Sequence, residues 1–263
     1  MKLTKNLNIR ILKSMLACGV PLLLSACGGG DSTTNPTVEY RTVSQGFRAF
    51  DYVYGGSSYA VVSIKAKSNL TEEKSLLENH IRYSSSAKGY RNFVYHNSDE
   101  RLFDVTLYDA NQHEVLASTK LAIDMARHYW IFAFGNVNHD EYALYTVKKP
   151  ITKSVSGKVH LYVIYAPTTQ GNKPLDVYLN GNKILQQLAP RHLSPAVQLA
   201  DDLVSLDASA VLSDGTSKTC ARQYPIHYEE KGMVQWKESA WLLVFSEVNR
   251  ECILHPITIN SGN

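Results

Sequence analysis

The sequence predicts an all-β protein: two tandem immunoglobulin-like β-sandwich domains behind a cleaved export signal and a flexible tether. Three observations carry the expectation. Apolar and polar residues alternate at period two in short runs along most of the chain, the spacing of half-buried strands. Gly, Asn, Asp and Pro punctuate those runs at short intervals, as in sandwiches. The 263 residues include 16 Tyr and 7 Phe but only 4 Met, a bias toward side chains that pack on pleated sheets.

The export signal comes first. "MKLTKNLNIRILK" holds Lys2, Lys5, Arg10 and Lys13 and no acid. The apolar run Ser14 to Leu24 follows, interrupted by Gly19 and Pro21. A spanning helix needs about 20 apolar residues, so this run is too short to cross a bilayer. A basic stretch, a short apolar stretch and small residues before a cut describe a secretory signal. The cut is expected between Ala26 and Cys27, which makes 1–26 the signal peptide and 27–37, "CGGGDSTTNPT", a small and polar tether. Removing 1–26 takes four of the 27 basic residues and none of the 24 acidic ones. Net +3 becomes −1, and nothing in that balance points to nucleic acid, which asks for a clustered basic face.

"Leu24-Ser25-Ala26-Cys27" resembles the lipobox of bacterial lipoproteins. The resemblance implies a diacylglycerol on the Cys27 sulfur and a membrane anchored through it. Gly28, where Asp commonly retains such proteins in the inner membrane of Gram-negative bacteria, resembles the outer-membrane pattern. Periplasmic or surface orientation is left open.

The first sandwich is expected over 38–152. "YAVVSIKA" (59–66) reads as a strand. "NLTEEKSLLENH" (69–80) reads as a short helix near 70–80, with Asn69 as cap and Glu72 three residues on. In "RLFDVTLYD", Phe103, Val105 and Leu107 share one face and Asp104, Thr106 and Tyr108 the other. "HYWIFAF" (128–134) is apolar on both faces, and "YALYTV" (142–147) follows the turn "GNVNHDE". The polar stretch "KKPITKSVSGK" (148–158) reads as the boundary, and the second sandwich is expected over 157–263. There "VHLYVIYAP" is a strand ended by proline. "LDVYLNGNKIL" is a hairpin with a type I′ turn at Asn180-Gly181. "LVSLDASAVL" alternates Val204, Leu206, Ala208 and Ala210 against Ser205, Asp207 and Ser209. Asp214-Gly215 turns the chain, and "AWLLVF" and "CILHPITI" end it.

Of four cysteines, Cys18 lies in the signal and Cys27 takes the lipid. Cys220 and Cys252 remain as an even pair in an oxidising compartment, and a disulfide between them is expected. They lack the spacing of a zinc site, and neither a metal nor a cofactor is expected. In "NVNHDEY", Asn136, Asn138, Asp140 and Glu141 alternate as oxygen ligands do in calcium loops. The loop lacks the EF-hand glycine and distal glutamate and reads as a solvated hairpin loop. No nucleophile elbow, Walker loop, dinucleotide fingerprint or HExxH occurs, and no catalytic residue is singled out. Tyr52, Tyr54, Tyr108, Tyr178 and Trp236 are the candidates for a sugar- or peptide-binding face.

The two halves echo one another. "FDVTLY" (103–108) matches "LDVYLN" (175–180), and "AFDYVYGG" near Phe50 is a weaker third echo. With "LYVIYAP" and "LDVYLNG", the second half resembles a family of bacterial envelope proteins, the domain of unknown function 4397. Its repeats run through an Ala-x-Pro strand end and then Asp-Val-Tyr-x-Asn-Gly. The first half has neither Ala-Pro nor Asn-Gly at its match. The resemblance implies tandem sandwiches on lipoproteins and carries no catalytic residues. The expectation is therefore a lipid-anchored envelope lipoprotein, non-enzymatic, serving as a binding or structural scaffold for envelope proteins or glycans. The alternatives are a glycan-binding, adhesin-like protein and a periplasmic hydrolase with a dispersed site.

Overall fold

The period-two runs become strands. The structure, a computed structural model, describes residues 43–55, 61–80, 85–86, 91–95, 102–124, 127–167, 173–203, 205–219, 224–225, 240–246 and 252–257. All of them lie in the compact unit Tyr40–Asn263. The signal peptide, Cys27, the tether, Cys220 and Trp236 lie outside the described residues.

The first half holds β1 (Val43–Tyr54), β2 (Val62–Ser68), β3 (Thr71–His80), β4 (Ser85–Ser86), β5 (Arg91–Tyr95), β6 (Leu102–Asp109), β7 (Val115–Ala122), β8 (His128–Asn136) and β9 (Glu141–Lys148). The second holds β10 (Lys158–Ala166), β11 (Leu175–Leu179), β12 (Asn182–Leu188), β13 (Val197–Ala200), β14 (Ser205–Leu206), β15 (Ala208–Leu212), β16 (Ser217–Thr219), β17 (Tyr224–Pro225), β18 (Ala240–Ser246) and β19 (Cys252–Ile257).

Each half is an immunoglobulin-like sandwich of two sheets. In the first, the inner sheet runs β4-β1-β8-β9, with β5 also on β1, and the outer sheet runs β3-β2-β6-β7. In the second, the inner sheet runs β13-β10-β18-β19 and the outer sheet β12-β11-β15-β16. The two orders are the same once β10 is set against β1, β11 against β2, β15 against β6 and β18 against β8. The short pair β14–β17 stands apart.

The inner sheets are buried on both faces. Along β1 and β8, Phe47, Ala49, Val53, Tyr129, Ile131 and Ala133 join the core with the outer sheet. Phe50, Tyr52, Trp130, Phe132 and Phe134 point the other way, onto Tyr162, Ile164, Leu242 and Val244 of the second half. There Leu161, Val163, Leu243 and Phe245 face back into the second sandwich. The unit Tyr40–Asn263 is thus four sheets deep: outer, inner, inner, outer. At the centre of each inner sheet two strands run parallel, β1 with β8 and β10 with β18. Parallel strands are covered on both faces and read as continuous apolar runs. That is why "HYWIFAF" and "AWLLVF" lack alternation. Each large side chain buried in the seam contributes about 1.5–3 kcal/mol over leaving it in water.

Two expectations are corrected. Residues 71–80 form the strand β3, hydrogen-bonded to β2, rather than a helix. Asn69 caps nothing. It sits in a tight turn where Thr71 Oγ1 accepts the Ser68 N–H at 3.2 Å and lies 2.9 Å from Ser68 Oγ. Irregular register along the ladder buries both Leu76 and Leu77, and that adjacent apolar pair imitates a helical stripe. The "FDVTLY"/"LDVYLN" match is also out of register with the fold. The first lies on β6 and the second on β11, which occupy different places in the repeated sheet order. The counterpart of "LDVYLNGNKILQQL" is the β2–β3 hairpin "VSIKAKSNLTEEKSLL".

Candidate functional site

Two places gather chemically capable side chains: the outer faces of the sandwiches and the buried seam. The outer faces follow from strand phase. On β11, Leu175, Val177 and Leu179 are buried, which turns Asp176 and Tyr178 outward. Lys183 of β12 binds Asp176 at 2.7 Å and lies 5.5 Å from the Tyr178 ring centre. On the first sandwich, Lys65 of β2 binds Glu73 of β3 at 3.0 Å and lies 5.1 Å from the ring of Tyr108 on β6. The Glu73 hydrogen bond raises the Lys65 pKa, and the Lys183 hydrogen bond lowers that of Asp176. Each outer sheet thus carries a lysine, a carboxylate and a tyrosine in contact.

The seam holds polar groups among aromatic ones. Tyr52 Oη lies 2.7 Å from His255 Nε2 on β19. Phe50 stacks on Phe132 at 4.6 Å and meets the His255 ring edge-on at 5.4 Å. Arg48 Nη1 donates to the Pro256 carbonyl at 3.2 Å, and its guanidinium lies 5.0 Å from the Phe50 ring centre. Burial, then the Arg48 charge, pushes the His255 pKa down to about 4, so the imidazole is neutral near pH 7. Lys149 is also buried, and burial followed by Arg48 lowers its pKa. Thr152 Oγ1 lies 2.9 Å from Tyr162 Oη, and Trp130 meets Tyr162 edge-on. Within the first sandwich, Asp51 is fully buried. Its Oδ1 accepts the Val53 N–H at 2.9 Å, while Oδ2 has no hydrogen-bond partner among the described residues. Burial raises its pKa to about 8, against the Val53 hydrogen bond.

Several candidate residues fall into place against these sites. Tyr108 and Tyr178 do face outward. Tyr54 is half-buried at the end of β1. Tyr52 is corrected: it is fully buried and bonded to His255, so it is part of the seam and of no binding face. Asn136 spends its side-chain oxygen on the Asn138 N–H at 3.0 Å, capping a single 3-10 turn at Val137–His139. Among the described residues no group of three or more His, Cys, Asp or Glu is placed to hold a metal ion. Cys252 opens β19 and is buried, opposite Phe245. Sequence reasoning missed Asp51, His255 and Arg48. The available signal for Arg48 and Asp51 was "RAFDYVY", where two charged residues interrupt a run that the repeat aligns with the inner strand β10, which carries no charged residue from Leu161 to Ala166.

No family model and no curated protein matches the chain. Solved structures with some likeness include family 41 carbohydrate-binding modules of streptococcal virulence factors. That likeness has 10% identity over 79% of this chain and 96% of that one, with a TM-score of 0.26. A family 26 carbohydrate-binding module from Eubacterium rectale Amy13K, in complex with maltoheptaose, gives 10% identity over 83% and 100%, with a TM-score of 0.22. Human GIVD cytosolic phospholipase A2 gives 8% over 81% and 31%, with a TM-score of 0.26. The sheets themselves establish the fold.

Proposed function

We propose that the chain is a lipid-anchored lipoprotein of the bacterial envelope, placed at the outer membrane, that works as a non-enzymatic binding or structural scaffold. The seam is the observation that carries this reading. Two sandwiches sharing one aromatic core make a single stiff body, which suits holding outer faces at a fixed spacing from a membrane. Cys27 supplies the anchor, residues 27–37 the leash, and a Cys220–Cys252 disulfide closes the last third of the second sandwich. Such a closure contributes about 3–4 kcal/mol in the chain-entropy picture.

The test is Cys27→Ser in the full chain. It should abolish incorporation of a clickable fatty acid and leave an unprocessed precursor. Labelling equal to wild type would end the lipoprotein reading. Free thiols at Cys220 and Cys252 in non-reducing peptide mass mapping would refute the disulfide.

A second reading, a glycan-binding protein, draws support from the outward Tyr108 and Tyr178 with their lysines. Tyrosine rings offer flat apolar surface for sugar faces, and lysine with carboxylate offers hydrogen-bond partners. A glycan array probed with wild type and with Tyr108→Ala plus Tyr178→Ala decides it. Binding lost in the double variant supports the reading, and no binding by wild type sinks it.

A further inference from the structure

The exposed apolar residues are distributed by end of the molecule. Six large hydrophobic side chains stand out among the described residues: Leu70, Leu102, Val115, Val137, Ile151 and Val155. Gly46, near the start of β1, pairs with Asn92 and with His128. Lys74 of β3 donates to the Asn92 carbonyl at 3.1 Å and lies opposite Ala66 on β2. The β2–β3 turn that carries Leu70 therefore extends beyond the level of Gly46. Val105 pairs with Ala66, so Leu102, three residues earlier on β6, extends the same way. The Lys149 N–H donates to the His128 carbonyl at 2.8 Å, and Ile151 and Val155 follow in the connection to β10. Four of the six thus stand at the end where β1 begins, with exposures of 52% for Leu70, 53% for Leu102, 51% for Ile151 and 39% for Val155.

Basic and acidic side chains are mixed at this end. Around the β1-start end lie Lys67, Lys120, Arg127, Lys148, Lys153 and Lys158, with Glu72, Asp104, Asp124, Asp201, Asp202 and Asp207 among them; Lys148 pairs with Asp124 and Asp207 is held by Asn180. At the other end of the first sandwich, Asp109, Glu114 and Asp140 surround Tyr142 closely enough to raise its pKa after burial. Glu141 stands there beside Arg191.

We propose that the β1-start end is a membrane-contacting rim, seated on the headgroup and acyl boundary of the bilayer that holds the Cys27 lipid. The inference rests on the lipid-anchor reading. Its occupant follows from the chain. Only residues 28–42 separate Cys27 from β1, a span of at most about 55 Å, and they join the body at this end. Apolar side chains with lysines around them suit an interface, where acyl chains take the first and anionic headgroups the second. Four of the six exposed apolar side chains stand at this end and two at the other, which sets the body upright with its β1-start end on the bilayer.

The experiment uses the full acylated chain in vesicles of phosphatidylethanolamine and phosphatidylglycerol. Spin labels are placed one at a time through Leu70→Cys, Ile151→Cys, Val115→Cys and Val137→Cys, all exposed positions. The expected result is a shift of the Leu70 and Ile151 labels to oxygen-accessible, nickel-chelate-inaccessible positions, with the Val115 and Val137 labels fully accessible to the chelate. Four equally chelate-accessible labels on protein that sediments with the vesicles would overturn the rim and leave the anchor standing. Protein that carries no lipid and does not sediment would overturn the anchor and the rim together.

Discussion

Asp51 and His255 are buried groups whose ionisation pulls stability in opposite directions. Asp51 has its ordinary pKa of 3.8 when unfolded and about 8 in the fold. Its raised value means that the native state holds the proton more tightly. Its contribution is complete below about pH 4 and is lost as pH rises through about 8, at ~1.4 kcal/mol per pH unit. His255 falls from 6.5 to about 4. Its contribution is complete above 6.5 and is lost as pH falls through about 4. For these two groups, wild-type stability is level between about pH 4 and 6.5 and declines from there to about 8. Asp51→Asn keeps an acceptor for the Val53 N–H and cannot ionise, so its stability should rise from pH 4 to 6.5 and then hold level. Urea denaturation across that range measures both curves. Parallel curves would show that Asp51 ionises freely in the fold. Neither residue was marked by the sequence as buried, because a single Asp inside "FDYVY" reads as the polar phase of a strand. That phase faces inward: Asp51 shares the face of Phe47, Ala49 and Val53, where the first sandwich's own outer sheet removes the water, while Phe50 and Tyr52 take the face covered by the second sandwich.

Turns and hairpins were the most legible elements, because their chemistry is local. Asn180 and Gly181 adopt φ of 49° and 78°, as the Asn-Gly pair requires in a type I′ turn. Asn180 does more than tolerate that geometry. Its Oδ1 accepts the Asp207 N–H at 2.8 Å and its Nδ2 donates to the Ser205 carbonyl at 3.1 Å, tying the hairpin to β14 and to the residue that leads into β15. Asn180→Gly keeps the backbone and loses two bonds, a cost of about 1–2 kcal/mol. Asn180→Ala adds the strain of a left-handed β-carbon, ~1 kcal/mol more. The order wild type, Gly, Ala in urea midpoint at constant slope checks this; equal midpoints for the two variants would remove the strain term. The β2–β3 hairpin was illegible for the converse reason. "SNLT" has no glycine and "EEKSLLENH" has good helix formers, so local propensity voted for a helix. The sheet overruled it, since β2 needs a partner and the two leucines need the core. The echo slipped by the same mechanism. "FDVTLY" and "LDVYLN" share only the phase of any half-buried strand, whereas sheet order is set by pairings far apart in sequence.

The seam sets the behaviour of the whole molecule. The sequence did show that β8 and β18 are apolar on both faces, which places them centrally. It could not show that the second face of each meets the other's sandwich, because period-two patterning records burial and not what does the burying. A shared core makes the two sandwiches one cooperative unit. Phe132 stands near its middle, 4.6 Å from Phe50, 6.0 Å from Phe134 and 6.2 Å from Tyr145. Phe132→Ala removes a buried ring and leaves a cavity, at a cost of about 3–5 kcal/mol. In separate domains joined by a loop, that cost would fall on the first sandwich alone. Here Phe132 also packs in the cluster that includes Ile164, Leu242 and Val244 of the second, so both sandwiches should lose protection. Hydrogen exchange followed by mass spectrometry can read β6 and β15 separately, one strand from each outer sheet. Faster exchange in both, with a single shifted melting transition, is the expected outcome. Faster exchange in β6 with β15 unchanged would mean that the sandwiches unfold independently, and the stiff body behind the scaffold reading would go with it.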